Sequence, residues 1–276
     1  NSTGNNLEDY FDLSLFELVG SGSIGQVYKT KLKQTGDIVA LKIKHPNITE
    51  TINNIQPLIN ILSYLQTFTY IRNKFKLYYD INKFMENLYL QVDFNIEAEH
   101  CRKFAKLYDD NDFILIPKIY YNNQDVLISQ FIDGIEYNQL DDYGKYETSI
   151  NFLAFVKNSF LVTNFYHGDL HNKNWKVKRI GSKYKIVLYD FGLCFDGFSP
   201  EINKKLWNSF ENHNIDTLKK FIIEHCISQG EIENIDTELE EITKKISSEY
   251  LDYNYIFKIL IKHLSKDASI VLDDKI

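Results

Sequence analysis

The chain has 276 residues, 44% hydrophobic and 25% charged, which is long and apolar enough to bury one large core or two packed lobes. Its formal charge is −7 and its Lys and Arg are scattered, which excludes a surface built to neutralise nucleic-acid phosphates. A folded enzyme without a nucleic-acid partner is the first expectation.

Three cysteines, Cys101, Cys194 and Cys226, are too few and too far apart for a disulfide framework or a CxxC metal site. They read as small buried hydrophobes in an intracellular, reducing compartment. No apolar run approaches the ~18 to 20 residues that span a bilayer, and no basic segment followed by an apolar one opens the chain. The reading is a soluble domain with no transmembrane segment, for which peripheral membrane contact stays open. The chain opens on Asn1 rather than Met and on a polar stretch, and reads as a piece of something longer. The sequons at Asn1 and Asn47 read as chance in an Asn-rich sequence. Heavy use of Asn, Ile, Lys, Tyr and Phe suggests an AT-rich genome, such as that of a protist or a giant DNA virus.

In chain order, residues 16–44 alternate as strand, Gly-rich turn, strand, turn and strand, with Gln34-Thr35-Gly36-Asp37 as the second turn. After His45-Pro46 the period changes to 3.6: Ile52, Ile55, Leu58, Ile59, Leu62 and Leu65 share one face of a helix that breaks or starts near Pro57. A second long helix is predicted over residues 81–107. Two short strands flank the Asn122-Asn123 turn, and a polar connector over 136–148 marks the lobe boundary. The rest is predicted helical over 150–165 and from 200 to the end, interrupted by a loop-strand-turn-strand-loop segment over 167–192. The acidic stretch around Glu238 to Glu241 reads as a solvated helix face.

Four elements carry chemistry. Gly20-Ser21-Gly22-Ser23-Ile24-Gly25-Gln26-Val27 fits GxGxxGxV between two strands, where glycines let backbone N–H groups approach phosphate oxygens. A dinucleotide site would open a helix there, whereas QVYKTKL continues as strand; an ordinary Gly-rich hairpin is the bland reading. Val39-Ala40-Leu41-Lys42 places a lysine in an apolar strand, where it wants an anionic partner unless it simply reaches solvent. Glu97 is the candidate helix glutamate for it, with Glu99 and Glu86 as rivals, and Asp93 and Glu97 are expected on one helix face.

His167-Gly168-Asp169-Leu170-His171-Asn172-Lys173-Asn174 is the strongest element: the step from Asp169 to Asn174 matches a kinase catalytic loop, in which the Asp positions the acceptor and the Asn binds Mg²⁺. Asp190-Phe191-Gly192 follows a β-rich run and offers a second hard-oxygen ligand suited to Mg²⁺. A transition-metal cluster of His167, Asp169 and His171 is the competing reading, and it leaves the other elements unexplained. In this order the four elements predict an α+β, two-lobed protein-kinase-like fold: a polar lead over 1–15, a small β-rich N-lobe with inserted helices over 16–132, and a larger, mainly helical C-lobe over 133–276. The cofactors expected are ATP and Mg²⁺.

Through SIGQVYKTKL with VALKIKHP, VDFNIEAEHCRKFAKLY, VLISQFIDG, FYHGDLHNKN and LYDFGLCFDGFSPEINKKL, the sequence resembles the UbiB/ADCK family of atypical, protein-kinase-like proteins over roughly residues 16–230. The resemblance implies that Lys42 binds phosphate, Glu97 is its helix partner, Asp169 is the catalytic-loop aspartate, and Asn174 and Asp190 hold Mg²⁺. The Gly-rich motif itself points to Gly20, Gly22, Ser23, Gly25 and Val27 as the nucleotide cradle, and the resemblance implies that backbone near Gln130 to Ile132 forms the adenine hinge. The sequence departs from the family in having Gly20-Ser21-Gly22 for an Ala-rich loop, in lacking a KxGQ segment, and in reading Gln91-Val92-Asp93 for ExD. The implied activity is transfer or hydrolysis of the ATP γ-phosphate, with a lipid-related small molecule, a protein or water as acceptor. HGDLHNKN equally suits a small-molecule kinase of the aminoglycoside or choline type, with Asp196 and Glu238 to Glu241 available for an acidic acceptor pocket; a nucleotide-binding pseudokinase scaffold is the third reading.

Overall fold

The computed structural model describes residues 6–75, 77, 80–212, 214–225, 227–229 and 271–272. The chain divides into two compact units, one of residues 1–52 and 88–200 and one of residues 53–87 and 201–276. Helix α1 (Leu7–Tyr10) leads into β1 (Phe11–Ser21), β2 (Gly25–Leu32) and β3 (Ile38–Lys44). The first strand therefore starts inside the stretch read as a polar lead, and Phe11 is buried there. The turn before β3 places Gly36 at φ +79°, a conformation glycine adopts without a Cβ penalty. Helix α2 (Ile48–Gln66) runs through Pro57. It does not break there, because the buried face that includes Ile52 and Ile59 continues on both sides of the proline.

Then follow α3 (Thr69–Phe75), α4 (Ile81–Gln91), α5 (Phe94–Leu107), β4 (Ile114–Leu115), β5 (Ile119–Asn122) and β6 (Val126–Gln130). The predicted helix over 81–107 is two helices. Asp93 ends the first by taking an extended conformation and caps the second, its carboxylate accepting from the Asn95 amide at 2.9 Å. It is thus outside the helix, not on the face of Glu97. A 3₁₀ turn (Tyr137–Gln139) precedes α6 (Asp142–Asn158), so most of the segment read as a polar connector is helix. Asp141 caps α6 by accepting from the Gly144 amide at 2.7 Å, and a side chain at Gly144 would meet the Tyr184 ring at 3.1 Å. That glycine serves packing rather than a turn.

Helix α6 passes into a π-turn (Ser159–Thr163), Asn164 takes the left-handed conformation at φ 53°, and β7 (Phe165–His167) replaces the predicted helix end. After β8 (Trp175–Ile180), β9 (Lys183–Leu188) and β10 (Cys194–Asp196) come α7 (Pro200–Glu211), α8 (Ile215–His225), β11 (Ile227–Gln229) and β12 (Val271–Leu272). The last two pair antiparallel, so the end is not purely helical.

In the first unit, five antiparallel strands are ordered β1-β2-β3-β6-β5, with β4-β9-β8 and β10-β7 as separate small sheets. Phe94 and Ala98 of α5 pack with Leu127 of β6, joined by Ile24 and Ile119, which lays α5 against the five-stranded sheet. The larger core gathers Phe104, Tyr108, Phe155, Phe165, Ile186, Leu188 and Phe191; burying each such aromatic contributes roughly 1.5–3 kcal/mol. In the second unit, Gln66 donates to the Leu77 carbonyl at 2.8 Å and Asn82 to Ser63 at 2.7 Å, tying α2 and α4 together. Among the described residues no helix is long and apolar enough to cross a membrane.

Candidate functional site

Strand β3 holds Lys42 opposite Val27 of β2 on one side and Leu127 of β6 on the other. Its Nζ lies 2.7 Å from Glu97 Oε2 and 2.8 Å from Oε1 on α5, 3.3 Å from Asp190 Oδ1, and 5.1 Å from the centre of the Phe94 ring. Glu97 is buried whereas Glu99 and Glu86 are exposed, so the lysine's partner is Glu97. Burial works against the Lys42 ammonium, but Glu97 and then Asp190 more than offset it and hold its pKa above the usual lysine value. Burial pushes the Glu97 carboxyl up, opposed by Lys42. Burial would raise Asp190 too, yet Lys42 and the Gly192 amide hold it below the ordinary aspartate value.

Asp190 takes the left-handed conformation, φ 51°, and accepts from the Gly192 amide at 3.2 Å. Phe191 turns into the core against His167 and Phe104, each 5.5 Å between ring centres, and its carbonyl meets His100 Nδ1 at 2.9 Å. A side chain at Gly192 would stand 3.2 Å from Asp190 Oδ1, crowding that carboxylate.

Asn174 donates its amide to the Asp169 carboxylate at 3.1 Å and to the Asp169 carbonyl at 2.9 Å. This fixes the loop between them and leaves the Asn174 amide oxygen as an acceptor. The Tyr189 amide donates to the Asn174 carbonyl at 2.8 Å, which joins this loop to the strand end carrying Asp190. The Asp190 carboxylate and the Asn174 amide oxygen are hard-oxygen groups of the kind Mg²⁺ prefers. His167 is spent differently: Nε2 faces the Tyr189 carbonyl at 3.1 Å and Nδ1 accepts from the Asp169 amide at 3.3 Å. His171 Nδ1 accepts from the Lys173 amide, and its Nε2 lies 3.5 Å from Asp169 Oδ2. Among the described residues no group of three or more His, Cys, Asp or Glu could hold a metal ion, which removes the transition-metal reading of His167, Asp169 and His171.

The Gly-rich turn is tied down. The Gly22 amide donates to the Gly25 carbonyl at 2.9 Å, His45 Nε2 lies 3.0 Å from the Gly22 carbonyl, and the His45 amide donates to the Ile24 carbonyl at 2.8 Å. Gly20 pairs with Val27 across the turn, and Ser23 sits at its tip. Lys44 reaches the Val92 carbonyl at 3.0 Å and Asp125 at 2.6 Å, anchoring the Gln91-Val92-Asp93 segment to the sheet.

Gln130 ends β6, its amide donating to the Lys118 carbonyl at 2.7 Å, and the Ile132 carbonyl accepts from the Tyr189 hydroxyl at 2.8 Å. His45 and Tyr189 were missed as site residues by sequence reasoning; the only signal for either was its place beside a motif, after VALKIK and before DFG.

Asp196, a candidate for an acidic acceptor pocket, is exposed and paired with Lys103 at 2.6 Å. Residues 238–241 lie outside the described residues, as does Cys226. Cys101 and Cys194 are buried; burial pushes the Cys101 thiol up to about 12, so both behave as hydrophobes.

Residues 1–223 match the family model of the ABC1 atypical kinase-like domain. An uncharacterized chloroplastic aarF domain-containing protein kinase of Arabidopsis thaliana is 30% identical over 210 residues, covering 72% of this chain and 29% of its own. AarF domain-containing kinase 1 of Drosophila melanogaster is 28% identical over 200 residues, covering 68% of this chain and 37% of its own. This chain thus spans about a third of the length of these curated relatives. The structure of Rv3197 from Mycobacterium tuberculosis, in complex with erythromycin, matches with a TM-score of 0.58 at 21% identity, over 93% of this chain and 67% of that one. That likeness is one of fold, and the fold is kinase-like.

Proposed function

Since the chain belongs to the ABC1 atypical kinase-like family, we propose that it binds Mg·ATP and transfers or hydrolyses the γ-phosphoryl group. The observation that carries this reading is the junction of Lys42, Glu97 and Asp190 beside a loop in which Asn174 is locked to Asp169. The Lys42 ammonium, fixed by Glu97, clamps phosphate oxygens and offsets the charge that builds on them in the transition state. Asp190 and Asn174 hold Mg²⁺, which supplies further neutralisation of the phosphate oxygens when bound. Asp169 orients the attacking hydroxyl or water and takes its proton as the new O–P bond forms and the bond to the ADP oxygen breaks. His171 Nε2 lies 3.5 Å from the same carboxylate.

Lys42, Glu97, Asp169, Asn174 and Asp190 are all present, which favours turnover over a scaffold that only holds nucleotide. The acceptor belongs to the class lipid-related small molecule, protein or water. Asp196, the described candidate for a cation-binding acceptor pocket, is paired to Lys103.

Thermal-shift titration with ATP and ADP, with and without Mg²⁺, tests the reading on the wild type and Asp190→Asn. A ligand at 100 times its dissociation constant stabilises by about 2.7 kcal/mol. A Mg²⁺-dependent shift lost in the variant is expected; no shift with either nucleotide overturns the reading.

A further inference from the structure

Two histidines hold the carbonyls on either side of Asp190. His167 Nε2 donates to the Tyr189 carbonyl at 3.1 Å, one residue before it, and His100 Nδ1 donates to the Phe191 carbonyl at 2.9 Å, one residue after it. A carbonyl cannot donate, so the two rings carry these protons on different nitrogens: Nε2 in His167, whose Nδ1 accepts from the Asp169 amide, and Nδ1 in His100. His167 leads into the Asp169 loop. His100 comes from α5, three residues after Glu97, and that spacing puts both side chains on one face of the helix.

One face of α5 therefore reaches the Asp190 segment twice. Glu97 holds Lys42 at 2.7 Å, and Lys42 lies 3.3 Å from Asp190 Oδ1, while His100 holds the backbone just beyond. Phe191 is buried, so its carbonyl has to be met by protein. The Cys194 thiol also points at that carbonyl, at 3.4 Å, but a thiol is a weak donor, and His100 supplies the stronger bond. Asp190 needs such support. At φ 51° it is in the left-handed region, which a residue other than glycine keeps only where its surroundings over-determine it. The Gly192 amide holds the carboxylate at 3.2 Å, and His167 and Phe104 hold the Phe191 ring, each 5.5 Å between ring centres. His100 holds the peptide between Phe191 and Gly192.

We infer that His100 is a positioning residue: by donating from α5 to the Phe191 carbonyl, it holds Asp190 in the left-handed conformation that brings its carboxylate to Lys42. The cause lies in the ligand-free fold alone. The consequence, a change in how nucleotide binding responds to Mg²⁺, rests on the Mg·ATP reading above. His100 acts on that response only through Asp190, so its loss leaves Lys42 and Glu97 paired and weakens the proposed metal side of the site.

The test compares the wild type with His100→Leu and His100→Asn. Leu keeps an apolar side chain beside the Phe165 ring, whose centre is 5.8 Å from that of the histidine, and removes the donor. Asn keeps a donor, because its amide nitrogen stands as many bonds from Cα as Nδ1 does. Hydrogen–deuterium exchange of the ligand-free protein reads the cause. The peptide carrying the Phe191 and Gly192 amides should exchange roughly threefold to tenfold faster in His100→Leu, one hydrogen bond's worth, and at the wild-type rate in His100→Asn. Calorimetric titration with ADP, with and without Mg²⁺, reads the consequence. The affinity gained from Mg²⁺ should fall by the same factor in His100→Leu and be kept in His100→Asn, with Mg²⁺-free ADP affinity unchanged in both. Wild-type exchange in His100→Leu overturns the inference, and so does equally fast exchange in both variants, which assigns the effect to packing of the ring. An unchanged Mg²⁺ gain in His100→Leu overturns it as well. Wild-type protein that gains nothing from Mg²⁺ overturns the Mg·ATP reading, and the exchange rates then decide the positioning of Asp190 by themselves.

Discussion

Lys42 on β3 and Glu97 on α5, 55 residues apart in sequence, meet at 2.7 Å with the glutamate side chain only 4% exposed. Removing the cation leaves a buried carboxylate without its partner, which costs about 3–5 kcal/mol. Lys42→Ala should therefore lower urea-melt stability by that order, and so should Glu97→Ala. The double variant Lys42→Ala with Glu97→Ala should lose markedly less than the two single losses combined, because it leaves no buried Glu97 carboxylate without its cation. Strict additivity would mean that the two groups do not act as a pair. All three proteins should lose nucleotide-induced stabilisation.

Asp190 sits at φ 51°, where Asn and Asp are tolerated and most residues are strained. Asp190→Asn should keep the ligand-free melting temperature close to wild type while losing the Mg²⁺-dependent part of the nucleotide response. Asp190→Ala should lose that response and also melt lower, because alanine is poorly suited to the left-handed conformation. Equal ligand-free melting temperatures for the two variants would show that the backbone there relaxes.

The candidate site residues could be picked out because the motifs put fixed residue types at fixed spacings, which is a local signal. Lys42, Asp169, Asn174 and Asp190 could each be named from the text alone. Glu97 could not be separated from Glu99 and Glu86 by spacing; its burial beneath β3 separates it. The strands up to β3 read correctly because alternation is a local signal, although β1 begins at Phe11, ahead of where alternation is clear. The start of α6 was obscured because Asp141 and Gly144 look like turn residues, yet one is an N-cap and the other is small to admit Tyr184. Pro57 and Asp93 misled in opposite directions, one suggesting a break where the helix continues and the other a continuation where it ends. The contacts of His45 with Gly22 and of Tyr189 with Ile132 join residues far apart in sequence and leave no periodic trace.

His167 lies between the rings of Phe104 and Phe191, its two nitrogens engaged by Tyr189 and Asp169. Burial is the main cause that holds its pKa below the ordinary histidine value. The unfolded chain takes up this proton as pH falls through about 6.5, whereas the folded chain does so only at lower pH. Below that value the unfolded state binds more protons, so stability falls with falling pH until the folded pKa is passed. Above about 6.5 the contribution is fully present. Urea melts at pH 7.5 and 5.5 should show a smaller difference for His167→Gln than for wild type. The same difference in both proteins would assign the pH dependence to other groups.

The three glycines at and around the β1–β2 turn, Gly20, Gly22 and Gly25, differ in what they protect. None takes a positive φ. A Cβ at Gly25 would stand 2.4 Å from the Ile43 carbonyl oxygen and 3.3 Å from Lys44 Cα, backbone atoms of β3 that cannot rotate aside, whereas at Gly20 and Gly22 the nearest atom is 3.9 Å away. Gly25→Ala should thus destabilise by about 1–3 kcal/mol as an overpacked contact does, and it should weaken nucleotide binding by shifting the strand that carries Lys42. Gly20→Ala and Gly22→Ala should stay within about 0.5 kcal/mol of wild type, as open surface sites do. Their effect on ADP affinity then reports directly on whether phosphate oxygens approach this backbone. A tenfold or greater loss with unchanged stability marks the turn as a phosphate cradle; unchanged affinity in both limits the role of the glycines to the sheet contact at Gly25.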